Sequence, residues 1–323
     1  MAQLMNINHI LVVMTEPKSI FLEILIKYFI SVHFKRNKKR ISIIGDSSLV
    51  KKEIKKSKYK IKFNDIFDLK DSKKNFINLI DVNFGKNSQY VSNDDFSNYI
   101  SYCFDKSISI LKKNKNVALL NGPVNKKTFL KKKYLGITEY LAKKTNSKNP
   151  VMLIYNKKLS VSPITTHLPI KYVSKNINKS KIIKKVKSIN SFYVKNLNKK
   201  PKIAVLGLNP HCETIEKTGE EQKEIIPAIK QLKSERLNIK GPFPADTFFI
   251  KKNIDYYDVV VGMYHDQVLT PLKTLYNFNA INITIGLPFI RVSPDHGPNL
   301  SMYGKNKSDP SSIFCAMDFF NKI

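Results

Sequence analysis

Short apolar runs rich in β-branched residues recur along this chain, and three of them lead directly into a segment that carries a histidine. The runs cover residues 9–14, 41–44, 76–82, 117–120, 151–155, 159–164, 203–208, 259–263 and 281–285. Their length and composition predict buried strands. Between them, residues 20–32, 94–113, 180–194 and 220–233 carry helical spacing, with Asp94 as an N-cap and a kink expected at Pro227. Strands that alternate with helices predict an α/β architecture. There is no Gly/Ser linker, repeat or low-complexity tail to mark a domain boundary.

The histidine segments then acquire a geometry. His167 lies in Thr165-Thr166-His167, His211 in Gly207-Leu208-Asn209-Pro210-His211, and His265 in Tyr264-His265-Asp266-Gln267. Each reads as a loop leaving a strand, and loops at the carboxyl ends of an α/β sheet converge on one crevice. Three neutral imidazoles there form a site for a divalent metal that keeps positions open for substrate. One such histidine alone would more often be a packing or hydrogen-bonding residue; the set carries the argument. Imidazole ligands favour zinc, with cobalt or nickel next and magnesium the choice of carboxylate-rich sites. Cys212 reads as a small packed residue in preference to a soft ligand or nucleophile. His296, in Asp295-His296-Gly297, reads equally as a loop residue or a cofactor contact.

The formal charge of +31 raises the question of nucleic acid or an anionic membrane. The lysines are scattered, as at Lys51-Lys52, Lys112-Lys113, Lys184-Lys185 and Lys199-Lys200, with no block of interleaved aromatics. They read as a solvated basic surface, and neither partner is expected. Three separated cysteines, Cys103, Cys212 and Cys315, suit a reducing compartment. Residues 1–8 lack the basic n-region of a signal peptide, and residues 20–32 are too short and too charged to span a bilayer. A cytoplasmic protein is expected.

Several blocks together resemble the 4-hydroxythreonine-4-phosphate dehydrogenase family of pyridoxal phosphate biosynthesis. They are Gly122-Pro123-Val124-Asn125-Lys126, Thr138-Glu139-Tyr140-Leu141, Thr166-His167, Gly207 to His211, Gly241-Pro242-Phe243-Pro244-Ala245-Asp246-Thr247, Tyr264 to Gln267, and Gly286-Leu287-Pro288-Phe289-Ile290-Arg291 running into Asp295-His296-Gly297. They occur in the family's order. The resemblance implies two α/β/α domains flanking a cleft, as in isocitrate and isopropylmalate dehydrogenases, and a homodimer. Residues 1–125 with 275–323 would form one domain and residues 126–274 the other. It implies NAD-dependent oxidation of 4-phosphooxy-L-threonine, a small phosphorylated substrate, followed by loss of carbon dioxide. By the same resemblance His167, His211 and His265 are the metal ligands, and Thr138, Lys273, Asn282 and Arg291 contact substrate. Asp246, Asp266 and Lys273 are the candidate catalytic groups. Asp266 would orient an imidazole or act as a base. NAD rests on the resemblance alone, because no G-x-G-x-x-G follows any strand run.

The chain departs from the family at three places. Ile137 stands where the family has a histidine. Thr15-Glu16-Pro17-Lys18-Ser19-Ile20 lacks the glycines of the family's N-terminal loop. Ser301-Met302-Tyr303-Gly304-Lys305 lacks an aspartate. A sister dehydrogenase acting on threonate or erythronate 4-phosphate is the nearest rival. An acyl-phosphate transferase of related fold has no need of three histidines.

Overall fold

The computed structural model describes residues 6–56, 59–84, 93–130, 133–213 and 219–323. Twelve strands occur among them: β1 His9–Val13, β2 Arg40–Gly45, β3 Phe63–Asp65, β4 Ile77–Asp81, β5 Val117–Asn121, β6 Val151–Tyr155, β7 Ser160–Pro163, β8 Ile203–Leu206, β9 Ile239–Phe243, β10 Val259–Gly262, β11 Ile281–Ile285 and β12 Arg291–Pro294. The chain forms two compact units, Asn149–Gly286 and Met5–Lys148 with Leu287–Ile323.

In the unit Met5–Lys148 with Leu287–Ile323, the strand order is β3-β4-β2-β1-β5-β12, and every pairing is parallel. β1 and β5 are buried along their whole length, as strands covered on both faces must be. The helix Asn93–Lys113 lies on this sheet and puts Phe104, Ile108 and Leu111 against Leu11, Leu119 and Tyr140. In the unit Asn149–Gly286 the order is β11-β6-β7-β10-β8-β9. β11-β6-β7 is antiparallel, while β7, β10, β8 and β9 run parallel. The helix His265–Tyr276 packs Val268 and Leu272 onto Val161 and Val260 of this sheet.

The units exchange chain at 148/149 and 286/287, later than the 125/126 and 274/275 expected from sequence. Packing sets both points. The helix Ile137–Lys144 buries Tyr140 and Leu141 in the core around Phe104, and β11 pairs with β6. The irregularity expected at Pro227 is instead a π turn, Glu221–Ile225. It is followed by the helix Ile226–Ser234, with Pro227 in that helix's first turn, where proline is tolerated. β3, β9 and β12 lack an apolar run long enough to be read as strands.

One buried ionisable group gives the unit Met5–Lys148 with Leu287–Ile323 a pH-dependent stability. His9, 4% exposed, shares a 2.8 Å hydrogen bond with the Ser42 hydroxyl across β1 and β2. Burial, assisted by the Arg40 charge, pulls its ring from about 6.5 to about 4. The folded chain therefore holds the ring neutral where the unfolded chain protonates it. Its contribution is complete above pH 6.5 and is lost as pH falls toward 4, by roughly 3 kcal/mol at the limit. Urea midpoints measured from pH 7 to 4.5 should fall more steeply for the wild type than for His9→Gln. Parallel curves would remove His9 as the cause.

Candidate active site

The unit Asn149–Gly286 places the three histidines at one end of its parallel strands. His167 follows β7, His265 follows β10 and His211 follows β8, and these strands are neighbours in the order β7-β10-β8. Asp246 follows β9, the next strand along. Parallel strands present their carboxyl ends on one side, so all four groups leave the same edge of the sheet.

Local contacts distinguish the four. The His167 and His265 rings lie 5.8 Å apart, centre to centre, and are tilted by 38°. Two imidazoles bound to one ion at about 2.1 Å have ring centres roughly 5–6 Å apart, so this pair is suitably spaced. His265 opens the helix His265–Tyr276 instead of lying in a loop. Its Nδ1 is 2.7 Å from Asp266 Oδ1, and donation there leaves Nε2 as the nitrogen with a free lone pair. His211 turns toward Asp246, with Nδ1 3.9 Å from Oδ2, too far for a hydrogen bond. His211 and Cys212 both adopt left-handed backbone, φ 55° and 61°. Two consecutive side chains held there are uncommon and mark a loop whose conformation is imposed by its surroundings. Partial burial pushes the Cys212 thiol up.

Among the described residues, no three His, Cys, Asp or Glu side chains approach closely enough to hold an ion. The donor set nonetheless fits one, with three imidazoles on adjacent strand ends and two of their rings at ligand spacing.

The backbone frame beneath the histidines uses residues that had no assigned role in the sequence reading. Thr165 bonds to the Met263 carbonyl through both its amide (3.1 Å) and its hydroxyl (2.7 Å). The Gln267 carboxamide accepts from Met263 N at 2.7 Å and donates to Gly207 O at 2.8 Å. Glu221, fully buried, accepts from the amides of Leu208 and Asn209 and from the Asn209 side chain. Gly207 is required here, because a Cβ would meet Cys212 Sγ at 2.7 Å. Gln267 was visible inside the His265 motif. Glu221 had no sequence signal, since it reads as one acid in a charged helix.

The other proposed contacts are spread over both units. Lys273 is eight residues along the helix from His265, about 12 Å by helical rise, and its ammonium sits 5.4 Å from the Phe278 ring centre. Asn282 is on β11, and its carboxamide oxygen is buried with no hydrogen-bond partner among the described residues. Arg291 and Thr138 belong to the unit Met5–Lys148 with Leu287–Ile323. Arg291 is 3% exposed, and its Nε donates to Asn121 Oδ1 at 2.7 Å. Burial lowers the guanidinium to about 10, opposed by the Glu139 carboxylate. Thr138 lies in the first turn of Ile137–Lys144, beside Glu139. Ile137 packs on the apolar core. The histidine unit does not include His296, whose Nδ1 bonds to the Gly297 carbonyl. The N-terminal loop is held without glycines, by Thr15 donating to the Pro123 carbonyl and Ser19 to the Glu16 carbonyl.

In the same unit a recess of about 860 Å³ lies by the carboxyl ends of β2, β3 and β4. Its acids serve the local loops: Asp46 accepts from Ser48, Leu49 and Phe84, Asp81 from Ser47, and Asp65 from Lys51. No helix among the described residues is long and apolar enough to cross a membrane.

Comparison with known proteins points in one direction. Residues 37–320 match the family model described as pyridoxal phosphate biosynthetic protein PdxA. A 4-hydroxythreonine-4-phosphate dehydrogenase from Sulfurihydrogenibium is 38% identical over 312 residues, 94% of each chain. A relative from Oceanobacillus iheyensis with the provisional name D-threonate 4-phosphate dehydrogenase is 37% identical over 65% of this chain and 65% of its own. The solved 4-hydroxythreonine-4-phosphate dehydrogenase of Klebsiella pneumoniae superposes with a TM-score of 0.81 at 27% identity, covering 97% of this chain and 98% of its own. With motif order, strand-end histidines and near full-length similarity in agreement, the chain belongs to the PdxA family and is a dehydrogenase.

Proposed function

We propose that the protein oxidises 4-phosphooxy-L-threonine, with NAD as hydride acceptor and a divalent metal, to 2-amino-3-oxo-4-phosphooxybutanoate. That product decarboxylates to 3-amino-2-oxopropyl phosphate on the route to pyridoxine 5'-phosphate. The observation that carries this reading is the set of three histidines on adjacent parallel strand ends, in a chain 38% identical to a relative of that name. The residues His167, His211 and His265 would hold the ion, zinc before cobalt or magnesium, and it would supply Lewis acidity to the alcohol oxygen and an electron sink for decarboxylation.

The chain's own groups divide the remaining work. Asp266 fixes the His265 tautomer through Nδ1, leaving the Nε2 lone pair for a metal ion. Asp246, half-exposed beside His211, would be the carboxylate that accepts the alcohol proton. Arg291 and Lys273 supply positive charge for phosphate and carboxylate, the guanidinium bidentately. Thr138 and Asn282 add neutral hydrogen bonds that fix orientation, the Asn282 oxygen being an acceptor suited to an ammonium. A cytoplasmic homodimer is part of this reading.

A second reading is favoured by the Oceanobacillus relative and by Ile137, which is committed to the core and offers substrate no polar group. Under it, the substrate is threonate or erythronate 4-phosphate, without the amino group. The deciding assay is NADH formation by metal-stripped and metal-restored protein with each substrate. Metal-dependent turnover of 4-phosphooxy-L-threonine in preference to the sugar acids is expected. Turnover of a sugar acid alone would transfer the protein to the second reading, and activity independent of metal would reject the histidine site.

A further inference from the structure

The metal reading leaves Gln267 without a task, although it sits two residues beyond a proposed ligand and is 9% exposed. Its two hydrogen bonds run to different loops. The amide oxygen accepts from Met263 N, in the segment that delivers His265. The amide nitrogen donates to Gly207 O, in the segment that delivers His211. Thr165 ties the His167 segment to the Met263 carbonyl from the other side. Met263 is therefore the shared backbone node, and Gln267 makes a side-chain link from it to the His211 loop. That loop needs such a link, because His211 and Cys212 hold left-handed backbone that an unrestrained chain would leave. The space is closed around the carboxamide: a Cβ on Gly262 would meet Gln267 Oε1 at 2.9 Å.

We infer that Gln267 is a positioning residue for metal binding, whose carboxamide clamps the His211 loop to the start of the His265 helix so that the imidazoles bind one ion as a unit. The inference rests on the metal reading above. The chemistry at the site is specific to an amide. Glutamate keeps an acceptor for Met263 N but turns a carboxylate oxygen toward the Gly207 carbonyl, so the clamp becomes repulsive. Methionine has nearly the same length and makes neither bond.

The test uses the full chain with zinc as probe, measured by competition with a chromophoric chelator, and cobalt(II) as spectroscopic reporter. Gln267→Glu and Gln267→Met should each weaken zinc binding roughly 10–100-fold, the range typical of lost supporting hydrogen bonds around a metal. Both should alter the cobalt(II) visible bands, which follow ligand geometry, while the metal-free variants melt cooperatively near the wild-type temperature. If one variant fails to fold, the other is read alone; the collapse that overturns the inference is collapse of both. Wild-type zinc affinity with an unchanged cobalt spectrum would overturn the inference and leave the metal site standing. A loss of affinity matched by collapse of the metal-free fold would also overturn it, since the residue would then be merely structural. Wild-type protein that binds no zinc would overturn the metal reading itself, and this inference with it.

Discussion

His265→Ala should abolish zinc retention and lower kcat by at least about a thousandfold, while the metal-free protein melts close to the wild type. The fold loses little because His265 opens a helix with a third of its side chain exposed, and alanine is the best intrinsic helix former. The His167 ring lies 5.8 Å from that of His265, centre to centre. On the proposed metal reading the chemistry would lose much, because two imidazole ligands would remain of three and the Asp266 carboxylate would no longer orient one. Lewis-acid stabilisation of a developing alkoxide amounts to several kcal/mol, which is about three decades in rate. Atomic absorption on dialysed protein and NADH formation at saturating substrate give the two readouts. Full turnover without bound metal would sink the assignment of the histidines.

The motifs of the candidate site are more legible in the sequence than the frame around them. The His167, His211 and His265 motifs were legible because each follows an apolar run whose strand character is strong, and β7, β8 and β10 formed where those runs lie. The strand order that makes them neighbours was not legible, since pairing is decided by packing between segments distant in sequence. β9 and β12 were missed for a related reason. Ile239–Phe243 carries Gly241-Pro242, and β12, Arg291–Pro294, has Val292 as its one aliphatic residue, so neither shows an apolar run, yet both are held by parallel pairing to β8 and β5. Glu221 and Gln267 were invisible as supports because a buried carboxylate or carboxamide is defined by the backbone groups it meets. Asp246 was legible as a motif residue, but its approach to His211 required the neighbouring strand ends.

Arg291→Gln should reduce kcat/KM for a phosphorylated substrate on the order of a thousandfold, and Arg291→Lys by roughly 10–100-fold, both chiefly through KM. A guanidinium that is 3% exposed is costly to keep: taking the charge out of water has to be offset by partners. The structure supplies a hydrogen bond from Nε to Asn121 and a favourable field from Glu139, yet burial still lowers the group to about 10. The guanidinium stays charged near neutral pH, and a planar fork of donors suits a phosphate or carboxylate of the substrate. Truncating one partner of a desolvated charge pair costs about 2–5 kcal/mol, which spans the loss expected for glutamine. Lysine keeps the charge but loses the planar fork and the Nε donor to Asn121, hence the intermediate effect. Inorganic phosphate provides an independent readout as a competitive inhibitor, weakened in the same order, wild type, lysine, glutamine. Equal phosphate inhibition and equal KM in all three would make Arg291 a core charge that serves β12 and Asn121 alone.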